Sequence, residues 1–350
     1  MKKLKKAIVL VLVCTILSSS LLMLTGCNEE QVVRVFNWGE YIDESIFDDF
    51  YERYGIRVIY RMFQTNEEMY SILRTGGTNF DVIIPSDYMI ARMIEEGMLA
   101  ELNFDNIPNF SLIDPRYKNL EFDPDNRFSV PYMVGTVGLI YNSTMINHEV
   151  VSWGSLFDPN YAGMILMFDN PRDAFAIALK YLGYSINTVN EDEIYAAFEL
   201  LVQQREILQA YVMDQIFDKL ESGEAAIGPY YAGDFFTMRA NNPDLRFARP
   251  KEGTNFFVDA MVVPIDAENK ENAEKFINFM TRPDIALLNT LHIRYSTTNA
   301  AAFAMLPEYW QNDPIYWPDD EVLARGEVLV DLGEFRAQLA QAWTQVMVSR

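Results

Sequence analysis

The segment Val32-Val-Arg-Val-Phe36, followed by Asn37-Trp-Gly-Glu-Tyr41, sets the pattern from which the fold can be predicted. Its first half is apolar and short, as in a strand, and Asp43 to Tyr54 has apolar residues at helical spacing up to Gly55. Ile56 to Tyr60 favours a second strand. Strand, helix and strand in this order indicate a parallel sheet with helices on its faces.

The same alternation continues through the next forty residues. Thr65-Asn-Glu-Glu68 has capping-box spacing and predicts a helix to Thr75, ended by Gly76 and Gly77. The other elements predicted here are a strand at Phe80 to Ile84, ended by Pro85, and a helix at Tyr88 to Glu96, ended by Gly97.

A second α/β unit is predicted after about residue 135. Its predicted elements are strand Ile165 to Phe168, helices Pro171 to Leu182 and Glu191 to Leu208, strand Ala225 to Gly228 and helix Ala232 to Asn241. Two extended apolar stretches, Val130 to Tyr141 and Phe256 to Val263, connect the units, and helices are predicted at Lys270 to Met280 and Pro283 to Leu291. The sequence therefore predicts an α/β fold of two lobes joined by a hinge.

The predicted boundaries follow from this pattern. Residues 27–134 and about 262–305 form lobe 1, and residues 135–261 form lobe 2. Residues 306–350 form a C-terminal helical segment that packs on the lobes.

The N-terminus has the order of charges and apolar residues that is typical of an export signal. Four lysines in residues 1–6 precede an apolar run to Leu24, and Leu24-Thr-Gly-Cys27 resembles the bacterial lipobox. This predicts a signal peptide at 1–26, cleavage before Cys27 and a lipid on that cysteine. The alternative is an uncleaved membrane anchor with Cys27 incidental, and both readings place the folded part outside the cytoplasm.

The chain is strongly acidic, with 28 Lys and Arg against 50 Asp and Glu and a formal charge of −22. Loss of the four lysines with the signal changes this charge to −26. Such an excess disfavours nucleic acid and attracts cations, although acidity also serves solubility alone. Because Cys14 leaves with the signal, no thiol remains for a disulfide.

Aromatic and acidic side chains follow the predicted strands of the first unit. Trp38, Glu40 and Tyr41 come after the first strand, where ligands bind in open α/β sheets, and aromatic faces beside a carboxylate suit an ammonium group. Trp38 and Tyr41 could equally be core aromatics. Pro85-Ser86-Asp87-Tyr88 follows the third strand, and Asp87 could be a helix N-cap instead of a ligand contact.

The second unit repeats this arrangement. Asn170 and Pro171 suit the start of a helix, so Asp173 could serve only the helix dipole. Tyr231 and Asp234 follow the next strand. Asp259 lies within the apolar run Phe256 to Pro264, where burying an unpaired carboxylate is costly, and it is therefore the acid most expected to meet a cation.

These segments in their common order resemble the spermidine/putrescine-binding proteins of ABC transporters, over Val32 to about Gly333. The resemblance also includes Gly55 to Tyr60, Glu96-Gly-Met98, Pro250-Lys-Glu-Gly253 and Asn278 to Pro283. It implies a two-lobed fold like the type II periplasmic binding proteins, with a cleft in which aromatic rings enclose the methylenes of the ligand and acids hold its ammonium groups. The ligand-binding positions that it implies are Trp38, Tyr41, Ser86, Tyr88, Asp173, Tyr231, Asp234, Phe257, Asp259 and Tyr295. Glu40 joins these candidates as the carboxylate beside Trp38 and Tyr41, with a solvated side chain as its alternative.

Four positions depart from the pattern of that family. Asn170 stands where the spermidine branch has an Asp, and Leu329 where it has a Gln. Tyr231 and Phe257 stand at usual Trp positions, while Asp234 is similar to the putrescine branch. The resemblance thus implies a polyamine receptor and leaves the choice between putrescine and spermidine open.

The expected partners are a polyamine, the permease of an ABC transporter and the membrane through the lipid on Cys27, with no nucleic acid, cofactor or metal and with a monomeric chain. Two alternatives stay open. One is a receptor of the same fold for another organic cation, such as a quaternary amine. The other is a carboxylate-dependent hydrolase, since His148 and His292 lie in no recognisable catalytic motif.

Overall fold

The computed structural model describes residues 30–76, 79–317 and 325–349. The predicted signal peptide, Cys27 and Gly77 lie outside these residues. Within them the chain is a mixed α/β protein built on a curled sheet of ten strands. In these ranges we find no helix that is both long and apolar enough to cross a membrane.

The first lobe is organised around three parallel strands in the order β2-β1-β3. These are β1 (Gln31–Trp38), β2 (Ile56–Phe63) and β3 (Val82–Ile83), and they alternate with α1 (Ile46–Tyr54), α2 (Asn66–Thr75) and α3 (Asp87–Glu95). Thr65 caps α2 by accepting a hydrogen bond from the Glu68 backbone N–H at 3.1 Å, as predicted. Gly55 ends α1 in the left-handed conformation at φ 66°.

The second lobe contains a sheet of the same kind. Strand β5 (Ile165–Phe168) runs parallel to β6 (Leu208–Val212) and β7 (Ile227–Tyr231), and β8 (Leu245–Ala248) lies on the far side of β4 (Ser129–Asn142). The helices of this lobe are α4 (Pro171–Leu182), α5 (Glu191–Gln204), α6 (Ile216–Glu221) and α7 (Ala232–Asn241).

Two long strands connect the lobes, as predicted. The first half of β4 pairs antiparallel with β9 (Phe256–Val262), and its second half, Val137–Asn142, pairs with β7 and β8. The Val137 backbone N–H donates to the Asn255 carbonyl at 3.1 Å where the two strands pass between the lobes. This crossing is the hinge of the two-lobed fold.

The remaining elements complete the first lobe and the C-terminal region. They are α8 (Lys270–Met280), α9 (Pro283–Ile293), β10 (Ser296–Thr297), α10 (Ala300–Met305), α11 (Glu308–Gln311) and α12 (Phe335–Val348). Short 3-10 turns occur at Phe104–Asn106, Pro108–Leu112, Pro115–Tyr117, Trp153–Phe157 and Pro159–Tyr161.

The apolar cores follow the lobes. One buried cluster surrounds β5 in the second lobe and includes Trp153, Phe168 and Phe235, while two others cover the sheet of the first lobe. Leu339 and Val346 of α12 join the second-lobe cluster. The lobe boundaries given above stay predictions.

Two sequence-based predictions for the second lobe were wrong in detail, and two short elements were not predicted. The helix predicted from Glu191 to Leu208 ends at Gln204, because Leu208–Val212 pairs with β5 as strand β6. The strand predicted at Ala225 to Gly228 lies at Ile227–Tyr231, where its two tyrosines reach the cleft. Strand β8 and helix α6 were not predicted; each is too short for a clear periodic pattern.

Candidate ligand-binding site between the lobes

The carboxyl ends of strands from both lobes meet at a cavity of about 290 Å³. This is where parallel α/β sheets bind ligands, because the chain leaves the sheet there and its side chains are free to face a crevice. All eleven positions that the sequence indicated line this cavity, namely Trp38, Glu40, Tyr41, Ser86, Tyr88, Asp173, Tyr231, Asp234, Phe257, Asp259 and Tyr295.

Asp259 is a buried acid of the cavity, with 4% of its surface exposed. The Tyr41 hydroxyl donates to its Oδ2 and the Ser86 hydroxyl to its Oδ1, both at 2.7 Å. Burial raises the pKa of Asp259 to about 6, while these two donors oppose the rise by favouring the ionised form. The carboxylate is thereby fixed in orientation by two hydroxyl donors.

Asp234 lies in the first turn of α7, and its carboxylate accepts a 2.7 Å hydrogen bond from the Tyr295 hydroxyl. Burial, opposed by the hydrogen bond from Tyr295 and assisted by the negative charges of Asp214 and Glu40, raises the pKa of Asp234 to about 7. Several acids therefore share this end of the cavity.

Asp173 is in the first turn of α4 and accepts from the Tyr231 hydroxyl and the Asn170 side-chain amide, both at 3.0 Å. Asn170 also caps the helix, as predicted, by accepting from the Arg172 backbone N–H at 2.9 Å. Burial raises the pKa of Asp173 to about 6. A carboxylate that only stabilised the helix dipole would not need these side-chain donors. The arrangement therefore favours a role for Asp173 in binding a ligand in the cleft.

Aromatic rings form much of the cavity wall. Tyr231 packs edge-on to Phe257, with ring centroids 5.5 Å apart, and Tyr41 packs edge-on to Tyr295 at 5.0 Å. Trp38 is half-buried against Phe63 at 4.5 Å. Tyr41 belongs both to the core and to the cavity wall, so the two interpretations of this residue are compatible.

Asp87 is not the N-cap of α3, because Ser86 occupies that position. Its buried carboxylate accepts from the backbone N–H groups of Tyr88 at 2.7 Å and Val258 at 3.0 Å, which joins α3 to β9. Burial raises the pKa of Asp87 to about 8. Backbone N–H groups thus already occupy the carboxylate of Asp87, and its role is to hold α3 and β9 together behind the site.

Several lining residues were missed in the sequence, and Arg172, Asp214 and Asn255 are the polar ones that change the chemistry. Asn255 lies two residues before Phe257 and four before Asp259, so strand periodicity could have placed it on the same face. Asp214 follows β6, and it was missed because that strand was not predicted. Arg172 donates from Nη2 to the Val330 carbonyl at 3.0 Å and to Asn187 at 3.2 Å.

Asn170 and Leu329, which stand where the spermidine branch has other residues, also line the cavity. Leu329 lines it and joins the apolar cluster that contains Phe36 and Phe63. The two histidines are absent from the lining. His148 contacts the Tyr161 hydroxyl at 3.3 Å on the surface, and no group of side chains suited to hold a metal ion occurs in the described part of the chain.

Comparison with known proteins gives the same fold and a family. The sequence profile described as bacterial extracellular solute-binding protein matches residues 78–324. The spermidine/putrescine-binding periplasmic protein of Salmonella typhimurium is 34% identical over 325 residues, which cover 92% of this chain and 93% of that protein.

Two solved structures are similar over the whole fold. One, assigned to a spermidine/putrescine ABC transporter of Listeria monocytogenes, has a TM-score of 0.88 and 37% identity and covers 91% of this chain and 100% of that chain. The other is the spermidine/putrescine ABC transporter substrate-binding protein of Streptococcus pneumoniae in complex with calcium and HEPES, with a TM-score of 0.78, 34% identity and coverage of 91% and 99%. This family is a component of solute transport and not an enzyme family. The chain belongs to the bacterial extracellular solute-binding proteins.

Proposed function

We propose that this chain captures a polyamine, putrescine or spermidine, outside the cytoplasm and delivers it to the permease of an ABC transporter. The observation that carries the proposal is the pairing of cavity aspartates with tyrosine hydroxyls in place of basic side chains. Within the described residues, no lysine or arginine forms an ion pair with Asp173, Asp214, Asp234 or Asp259. The missing counter-charge is therefore assigned to the ligand.

The chemistry of a polyamine fits this arrangement. Its ammonium groups donate charge-assisted hydrogen bonds of about 1.5 to 3 kcal/mol each. Its methylenes lie against rings such as those of Tyr231 and Phe257, and aromatic faces attract cations by about 0.5 to 2 kcal/mol. Together these reach the roughly 8 kcal/mol that a micromolar dissociation constant requires.

Closure of the lobes follows from the same geometry. The open cleft admits the cation, and rotation at the β4–β9 crossing brings the aspartates of both lobes onto it. A permease then distinguishes the loaded receptor by its closed form. The chain acts as a monomer and performs no chemistry on the ligand.

Retention at the cell surface rests on Cys27. Signal cleavage exposes this cysteine as the N-terminal residue of the mature chain, and its lipid holds the receptor on the outer face of the cytoplasmic membrane. Stable attachment needs more than one acyl chain, because a single chain anchors only marginally. Mass spectrometry of the C27S variant against the wild type tests this step, since loss of both the lipid mass and the processing is expected.

Isothermal calorimetry of residues 28–350 tests the ligand, after refolding to remove any bound amine. Putrescine, spermidine and spermine are titrated separately, with tetramethylammonium as the quaternary cation. One-to-one binding of a polyamine is expected. Binding of the quaternary cation alone, or no heat with any of the four, would overturn the proposed function.

A further inference from the structure

The three parallel strands of the second lobe each lead to an aspartate at the edge of the cavity. Asp173 follows β5, Asp214 follows β6 and Asp234 follows β7. The last two residues of β7 serve this set directly, because the Tyr231 hydroxyl donates to Asp173 at 3.0 Å and the Tyr230 hydroxyl to Asp214 Oδ1 at 2.9 Å. Asp214 is thus held in the same manner as the acids implied by family resemblance.

Asp214 also reaches toward the opposite lobe. Its Oδ2 lies 3.1 Å from the position that a Cβ atom would occupy on Gly39. Gly39 precedes Glu40, whose backbone adopts the left-handed conformation at φ 50° and whose side chain is exposed at the cavity. The absence of a side chain at Gly39 leaves room for the Asp214 carboxylate beside this turn.

Three acids therefore meet at one end of the cavity, from both sides of the cleft. Asp214 and Asp234 belong to the second lobe and Glu40 to the first. The Tyr230 hydroxyl occupies one oxygen of Asp214, and no described side chain donates to Oδ2. A terminal primary ammonium has three N–H donors, one for each of these acids, whereas a secondary or quaternary nitrogen has fewer or none.

We propose that Asp214 is a further ligand-binding residue, which holds one terminal ammonium of the bound amine together with Asp234 and Glu40. This inference rests on the proposed function and adds to it a residue and a requirement for a primary amine at this end. Because Asp214 is exposed and lies beside Gly39 of the opposite lobe, it acts at the mouth of the cavity, where both lobes can contact the ligand.

The test compares D214N with D218N by calorimetry with putrescine. Asp218 is an exposed acid on α6 that does not line the cavity, so both variants lose one negative charge from the same region. We expect D214N to weaken putrescine binding about tenfold, in line with one charge-assisted hydrogen bond, and D218N to change it less than about twofold. Equal weakening by the two variants would mean that only the overall charge matters and would overturn the role of Asp214.

A second ligand separates contact from structural damage. n-Butylamine has the same carbon chain as putrescine but only one ammonium group. The ratio of the putrescine affinity to the n-butylamine affinity therefore measures what the second ammonium contributes. D214N is expected to reduce this ratio while the melting temperature of the ligand-free protein stays unchanged. Equal weakening of both amines would overturn the inference, whereas failure of the wild type to bind putrescine, spermidine or spermine would instead overturn the proposed function.

Discussion

The Tyr295 hydroxyl donates a 2.7 Å hydrogen bond to Asp234 Oδ2, and the two residues come from opposite lobes. Tyr295 packs in the core of the first lobe, while Asp234 lies on α7 of the second. The other tyrosine–aspartate pairs in the second-lobe wall, Tyr231 with Asp173 and Tyr230 with Asp214, stay within that lobe. Tyr295 therefore joins a cavity acid to the opposite side of the cleft.

Removing this hydroxyl tests its part in closure. Y295F keeps the ring and loses the bond, so we expect polyamine affinity to fall about threefold to tenfold, since one such bond contributes about 0.5 to 1.5 kcal/mol or more when the acceptor is charged. Y309F is the control, because Tyr309 is 74% exposed. Calorimetry that gives the same affinity for Y295F, Y309F and the wild type would contradict a role for this bond.

Gly233 is required by the ring of Tyr295. A Cβ atom at this position would lie 2.0 Å from Tyr295 Cδ2. Alanine favours a helix by about 0.5 to 1 kcal/mol over glycine, but overpacking costs about 1 to 3 kcal/mol, so G233A should lower both the melting temperature and the polyamine affinity.

A double-mutant cycle checks this cause. In the Y295A background the ring is absent, and G233A should then cost little. If G233A lowers the melting temperature equally in both backgrounds, the effect arises within α7 and not from contact with Tyr295.

Asp259 is expected to contribute most to binding. The residue is 4% exposed and its carboxylate is held by Tyr41 and Ser86, so D259N leaves the ammonium group without its buried counter-charge. We expect a loss of affinity of roughly tenfold to hundredfold, measured by calorimetry. E268Q removes a surface acid that pairs with Arg34 and should leave affinity unchanged. Similar affinities for the two variants would show that Asp259 does not meet the ligand.

The affinity for polyamines should fall as the pH is lowered from 8 to 5. Burial raises the pKa values of Asp234, Asp259 and Asp173 to about 7, 6 and 6, so these groups take up protons in this range in the ligand-free protein. A bound ammonium favours the ionised form, and binding near pH 6 therefore releases protons. Calorimetry in two buffers of different ionisation enthalpy measures this release. Observed binding heats that are the same in the two buffers at pH 6 would contradict it.

The stability of the ligand-free protein should change in the opposite direction. Because these folded-state pKa values lie above the usual 3.8, the unfolded chain binds fewer protons between about pH 4 and pH 7. Their contribution therefore destabilises the ligand-free fold as pH rises through this window. Its melting temperature should be higher at pH 5 than at pH 8, while the increase in melting temperature caused by a polyamine should be smaller at pH 5. D259N should reduce both differences.

Elements with strong local signals were predicted to the residue. Helix α4 begins at Pro171 after the Asn170 cap and ends before Gly183, which adopts the left-handed conformation at φ 83°. These signals act over a few residues and need no tertiary partner. Strand β6 was missed for the opposite reason, since Leu208–Val212 becomes a strand by pairing with β5 more than forty residues earlier.

The sequence by itself determined the two α/β units, their extended crossings and, through resemblance to a family, the residues of the cleft. Only the tertiary structure decided how those residues are paired. Tyr41 and Asp259 lie 218 positions apart along the chain, and Ser86 and Asp259 lie 173 apart. Backbone propensities and caps are local, whereas a hydrogen bond across a cleft depends on which strands pair and on how the two lobes meet. For the same reason, the position of Asp214 at the cleft depends on the pairing of β6 with β5, which the sequence pattern did not predict.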